Sequence, residues 1–117
     1  MSAFNWFTTR ERAFELRTKA VTTTYTVTVG SVANNFIEDR VITVANVATS
    51  FTITVPNGQY PGQRVLISLV GNASAQTLTV TCTVGTDYTL ATAGMYVSLE
   101  WTNATTGWVA LASSTTT

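Results

Sequence analysis

A chain of 117 residues is long enough for one domain with its own core and too short for two ordinary ones. Its 45% apolar share excludes a disordered chain, and a net charge of zero gives no overall pull toward nucleic acid or an anionic membrane. Only 10% of residues are charged, and threonine, about one residue in five, fills the polar share. Threonine is β-branched and stiff at χ1, which suits the solvent face of a strand.

Residues 1–20 differ in character from the rest of the chain. Arg10, Arg12, Arg17 and Lys19, four of the six basic residues, fall here beside Glu11 and Glu15. Thr8-Thr9-Arg10-Glu11 has the spacing of a capping box, with Phe7 placed as the preceding staple residue. Good helix formers continue to Lys19, and Glu15 and Lys19 are spaced i,i+4. This predicts a short helix over about 9–19, preceded by an aromatic arm. The chain thus divides into an arm and helix over 1–20 and a β domain over 21–117. Left in water, Phe4, Trp6 and Phe7 would make a sticky patch, so the arm is expected to pack on its own sheet, a second copy or a larger partner. Met1-Ser2-Ala3-Phe4-Asn5-Trp6-Phe7 lacks the basic start and long apolar run of a signal peptide, and no stretch reaches the length of a membrane helix. Synthesis in the cytoplasm is the expectation.

From Val21 the period changes to two. Val21, Tyr25, Val27 and Val29 alternate with threonines, and Phe51, Ile53 and Val55 alternate with Thr52 and Thr54. Further strands are predicted at 41–47, 64–70, 77–84, 88–90, 95–101 and 108–112, with the last five residues frayed. Pro56-Asn57-Gly58-Gln59-Tyr60-Pro61-Gly62 is a dense turn cluster. The nearly continuous apolar run from Arg64 to Val70 suggests a strand covered on both faces. No long repeat is visible. About eight short strands at this spacing predict an all-β fold: an antiparallel β-sandwich, jelly roll or small barrel. The expected core comprises Val65, Ile67, Leu69, Leu78, Val80, Cys82, Val97, Leu99 and Trp101, with Trp108 as a cross-strand partner of Trp101.

The chain offers little to chemistry. It has no histidine, which removes the commonest general base and metal ligand. Glu38 and Asp39 are the only adjacent carboxylates; on a strand they point to opposite faces, and in a loop they are solvated. Glu100 faces away from Val97, Leu99 and Trp101, as a surface residue or one end of an inter-subunit ion pair. The glycines fall singly in turns, so there is no phosphate loop. Beyond residue 20 the only basic residues are Arg40 and Arg64, too few for a nucleic-acid surface. The single cysteine, Cys82, is in phase with apolar residues and reads as a small buried hydrophobe. The sequons at Asn72 and Asn103 read as accidents of an Asn/Thr-rich sequence. Tyr60, in the turn cluster, is the aromatic expected to be exposed, and a weak glycan contact would run through it. No catalytic residue, cofactor or metal is assigned.

The segment Asn57-Gly58-Gln59-Tyr60-Pro61-Gly62-Gln63-Arg64-Val65-Leu66-Ile67 resembles the turn-plus-strand of β-rich bacteriophage virion proteins. So do Thr77-Leu78-Thr79-Val80-Thr81, Gly94-Met95-Tyr96-Val97-Ser98-Leu99-Glu100-Trp101 and Gly107-Trp108-Val109-Ala110-Leu111. The pattern, over about residues 51–111, is similar to that of small head decoration (cement) proteins and fibre modules. The resemblance implies trimers seated on the major capsid protein at the virion surface, often held by an N-terminal arm. Phe4, Trp6, Phe7, Arg10, Arg12 and Arg17 are the candidate partner-binding residues, from the aromatic and charge asymmetry of 1–20. The alternatives are another virion part (tail tube, head fibre or fibre base) and a carbohydrate-binding or adhesion module.

Overall fold

Among the described residues, nine strands stack in two sheets, and the chain reaches them by crossing from one sheet to the other. The computed structural model describes residues 15–32, 35–46, 50–72 and 77–114. Strands β1 (Glu15–Val21), β3 (Ile37–Asn46), β5 (Arg64–Asn72), β8 (Tyr96–Trp101) and β9 (Trp108–Ser114) form a five-stranded sheet in the order β1-β3-β5-β8-β9. Strands β2 (Tyr25–Thr26), β4 (Phe51–Val55), β6 (Leu78–Cys82) and β7 (Tyr88–Leu90) form a four-stranded sheet in that order.

The fold is all-β, but the expectation of antiparallel pairing is corrected. β1 with β3, β2 with β4, β3 with β5 and β4 with β6 all pair in parallel. Only β5–β8, β6–β7 and β8–β9 are antiparallel. Parallel neighbours need a long crossover, usually a helix. Here the crossover passes through a strand of the opposite sheet, so the first six strands wind as a two-sided coil. Alternation of apolar residues reports which side of a strand is buried and is silent about the direction of its neighbour. The coil also answers the search for repeats. Glu15 lies opposite Ile37, Tyr25 opposite Ile53, Val41 opposite Leu66 and Phe51 opposite Leu78. Each turn therefore takes a different length of chain, which hides the repeat from any fixed period.

The helix expected over 9–19 is likewise corrected: residues 15–19 are strand β1, and 9–14 lie outside the described residues. Sheet pairing carries the β domain back to Glu15, so a boundary at 20/21 falls inside a strand. Helix propensity here is worth tenths of a kcal/mol per residue. It is overridden by the ladder to β3 and by the Arg17–Asp39 ion pair between Nε and Oδ1. Arg17 and Asp39 are cross-strand partners, as are Leu16 and Glu38.

The core lies between the sheets. All nine residues expected there are buried, joined by Ile42, Val44, Ile53, Val55, Leu90 and Trp108 among others. Arg64–Val70 is covered on one face only, since Val65, Ile67 and Leu69 are buried while Val70 is 55% exposed. Trp101 and Trp108 are cross-strand partners as expected, with ring centroids 5.5 Å apart and planes at 62°. This edge-to-face geometry is favoured by the ring quadrupoles.

Two glycines make room for the tryptophans. A Cβ on Gly58 would collide with the Trp101 side chain, so the turn cluster can close over the ring only with glycine there. Gly107 has φ +78°, and a Cβ there would strike the Val84 carbonyl. The Trp108 indole N–H donates to the Pro56 carbonyl at 2.8 Å, tying β9 to the loop after β4 and so one sheet to the other.

Candidate functional site

The most concentrated chemistry in the fold surrounds Glu38 and Asp39, which are 0% and 1% exposed. Leu16 stands opposite Glu38 and Arg17 opposite Asp39, so the two carboxylates leave β3 on opposite faces. The pairing then jumps to Thr18 opposite Val41, which leaves Arg40 as the extra residue of a bulge. The expectation of opposite faces holds, but neither carboxylate is solvated.

Asp39 points between the sheets and joins them. It accepts from Arg17 Nε, from the Tyr25 hydroxyl at Oδ2 and from the Thr28 backbone N–H at 2.8 Å. Arg17 Nη2 also donates to the Tyr25 hydroxyl at 3.0 Å and to Thr28 Oγ1 at 3.2 Å. Tyr25 belongs to the four-stranded sheet, whereas Arg17 and Asp39 belong to the five-stranded one. The chain crosses between sheets here: Val27 donates to Thr54 of β4, and Val29 bridges to Glu38. The cluster closes one side of the sandwich with polar groups that satisfy each other. The Asp39 hydrogen bond raises the Arg17 pKa against the opposing effect of burial.

Glu38 lies on the outer face, beneath the turn cluster. The Tyr60 hydroxyl donates to both of its oxygens, at 2.8 and 3.0 Å, and Arg40 Nε donates to Oε2 at 3.2 Å. Tyr60 is therefore half-buried and tied down, which corrects the expectation of an exposed ring. The buried Gln63 fixes the same turn. Its Nε2 donates to the Val29 carbonyl at 2.9 Å, and its Oε1 accepts from the Gln59 N–H at 2.7 Å. Beside these residues runs an apolar groove of about 460 Å³ lined by Leu16, Arg40, Gln59 and Tyr60.

Of the six partner-binding candidates, only Arg17 is described, and its guanidinium is engaged with Asp39. Phe4, Trp6, Phe7, Arg10 and Arg12 lie outside the described residues. Sequence reasoning misses Tyr25 and Asp39 as a fastening between sheets and Gln63 as the residue that fixes the turn. The signal available is two acids set inside an apolar run, Ile37-Glu38-Asp39-Arg40-Val41-Ile42.

The two outer faces differ in chemistry. On the four-stranded sheet, Thr26, Thr54 and Thr81 form one row, and Thr52, Thr79 and Thr89 another. On the five-stranded sheet the rows are Thr18-Val41-Leu66-Ser98-Ala112 and Ala20-Thr43-Ser68-Tyr96-Ser114. Neither row of either face holds a charge. Glu100 pairs with Arg64 at 2.9 Å within the chain, at the end of the five-stranded face. Among the described residues, no group of three or more Cys, Asp or Glu could hold a metal ion. No protein-family model matches the chain, and no curated protein matches it in sequence.

Cys82 sits in the core as expected, and burial pushes its thiol up to about 11, with the Asp87 charge adding to the shift. Burial likewise raises the phenols of Tyr25, Tyr60 and Tyr88. The fold holds all four groups protonated more firmly than the unfolded chain does. Their contribution to stability is intact at neutral pH and is lost as pH rises past the ordinary thiol value of 9.0 and through the raised ones. An alkaline titration should show folding stability falling from about pH 9 upward, with Cys82 inert to thiol reagents at neutral pH until the chain unfolds. A freely reactive Cys82 in the folded protein would refute the assignment.

Proposed function

We propose that this chain is a non-enzymatic structural protein of a bacteriophage virion. In this reading it is a capsid decoration protein that binds the outer capsid surface as an oligomer, a homotrimer by the resemblance, and stabilises the shell. The observation that supports it is where the charge goes. Arg17–Asp39, Arg40–Glu38 and Arg64–Glu100 neutralise one another within the chain, and both outer faces are built of hydroxyl and apolar side chains. A surface so short of charge has little to keep copies apart and suits a protein that works while covered. Many copies with modest contacts each would resist separation of capsid subunits by avidity.

Attachment is assigned to Phe4, Trp6 and Phe7, with Arg10 and Arg12 setting register more than affinity. Each ring fully buried on the capsid would contribute roughly 1.5–3 kcal/mol. Replacing Phe4, Trp6 and Phe7 by serine in the full chain should weaken co-sedimentation with undecorated capsids tenfold or more. The far-UV circular dichroism should stay that of the parent. Undiminished binding by the triple variant would move attachment to the sheets or loops.

A fibre or fibre-base module is the second reading, favoured by the parallel coil, because coils of this kind add end to end. Electron microscopy of tagged virions separates a head location from a tail location. A glycan contact at Tyr60 would use the groove beside it, and a glycan array on the purified chain reads it.

A further inference from the structure

We infer that the outer face of the five-stranded sheet is the surface through which copies of this chain associate. This rests on the oligomeric part of the proposed virion role and assigns that assembly to named residues. Four of the six large apolar residues exposed in the described structure lie on strands of this sheet: Leu16 at 52%, Val70 at 55%, Val109 at 39% and Leu111 at 49%. Val41 and Leu66 sit as neighbours in the middle of the same face. The four-stranded sheet presents rows of threonine instead, so apolar surface is concentrated on one side of the molecule.

A second copy is the occupant that fits, because the face is uncharged along its central rows and closes its two flanking ion pairs, Arg64–Glu100 and Arg40–Glu38, within the chain. Faces of this kind, turned toward a common axis as a trimer requires, meet without like-charge repulsion and without stranding a carboxylate or guanidinium, the costs that oppose most self-contacts. Five strands at about 4.8 Å spacing and about seven residues long give a footprint of roughly 24 Å by 23 Å. That is about two-thirds of the ~800 Å² per partner of a standard interface. Side-chain relief and the groove beside Leu16 enlarge it further. Val70, at the register shift between β3 and β5, is the most exposed of the four and can enter a neighbouring surface.

The test is the mass of the full-length chain in solution by light scattering, for the parent and three variants. The parent should be a multimer. Leu66→Lys and Val70→Lys should fall to the single-chain mass with parental circular dichroism, and Thr54→Lys, on the opposite sheet, should remain assembled. Val70→Lys is decisive should Leu66→Lys unfold, because Val70 already stands largely in solvent. A monomeric parent, a Val70→Lys chain assembled like the parent, or loss of assembly in Thr54→Lys each overturns the assignment. Capsid co-sedimentation is read separately. A monomer that still coats capsids refutes this interface and leaves the virion role standing, whereas a multimer that binds no capsid does the reverse.

Discussion

Replacing Asp39 by alanine should cost about 3–5 kcal/mol of folding stability, the range for breaking a buried ion pair by removing one partner. The Asp39 side chain has no exposed surface, while that of Arg17 is 33% exposed. Arg17 can therefore recover part of its hydration, but the Thr28 N–H loses its carboxylate acceptor, and the Tyr25 hydroxyl is left with the longer contact to Thr28 Oγ1 at 3.4 Å. An unsatisfied buried group costs about 1–3 kcal/mol. Asp39→Asn keeps an acceptor for one of these donors and should lose less. Glu100→Ala serves as the control. Its pair with Arg64 has side chains 27% and 57% exposed, and surface pairs contribute about 0–1 kcal/mol. Urea unfolding of the three variants gives the ranking directly. An Asp39→Ala chain as stable as Glu100→Ala would show that the cluster does not fasten the two sheets.

Leu99→Ala should be the other severe change, at about 2–5 kcal/mol. Leu99 is fully buried on β8, between Val65 of β5 and Ala110 of β9, with neighbours held in place on both sides. Strands pinned by ladders on both edges cannot close around the vacancy, so the lost contacts should be recovered poorly. The midpoint of urea unfolding should fall with the slope unchanged, the mark of a change in stability alone. A variant melting at the parental temperature would mean that Leu99 does not face the core.

The core is legible in the sequence because burial imposes a period of two whatever the neighbouring strand does. Alternation alone puts Leu78, Val80 and Cys82, and Val97, Leu99 and Trp101, on the buried face, and they lie there. Pairing direction is not legible, since Phe51-Thr52-Ile53-Thr54-Val55 has the same alternation whether β6 runs with it or against it. β1 reads as helix because its residues are good helix formers, and its partner β3 lies beyond the whole of β2. The burial of both Glu38 and Asp39 is not legible, because the groups that satisfy them come from Arg17, Tyr25 and Tyr60, and no local pattern brings those together. The partner-binding candidates before residue 15 rest on sequence alone.

The alternation of successive strands between the sheets also governs how the chain can find its fold. No strand before β6 pairs with the one after it, and the local antiparallel contact among the described residues of the N-terminal half is the isolated Val29–Glu38 bridge. Only β6–β7 and β8–β9 join consecutive strands, both in the last third of the sequence. Folding should therefore start from the end of the chain synthesised last, with the coil of β1 to β5 recruited onto it across long loops. Such a chain refolds on the milliseconds-to-seconds scale of non-local β topologies. Substitutions in the β8–β9 hairpin should slow that refolding, whereas those around Asp39 should act mainly by hastening unfolding.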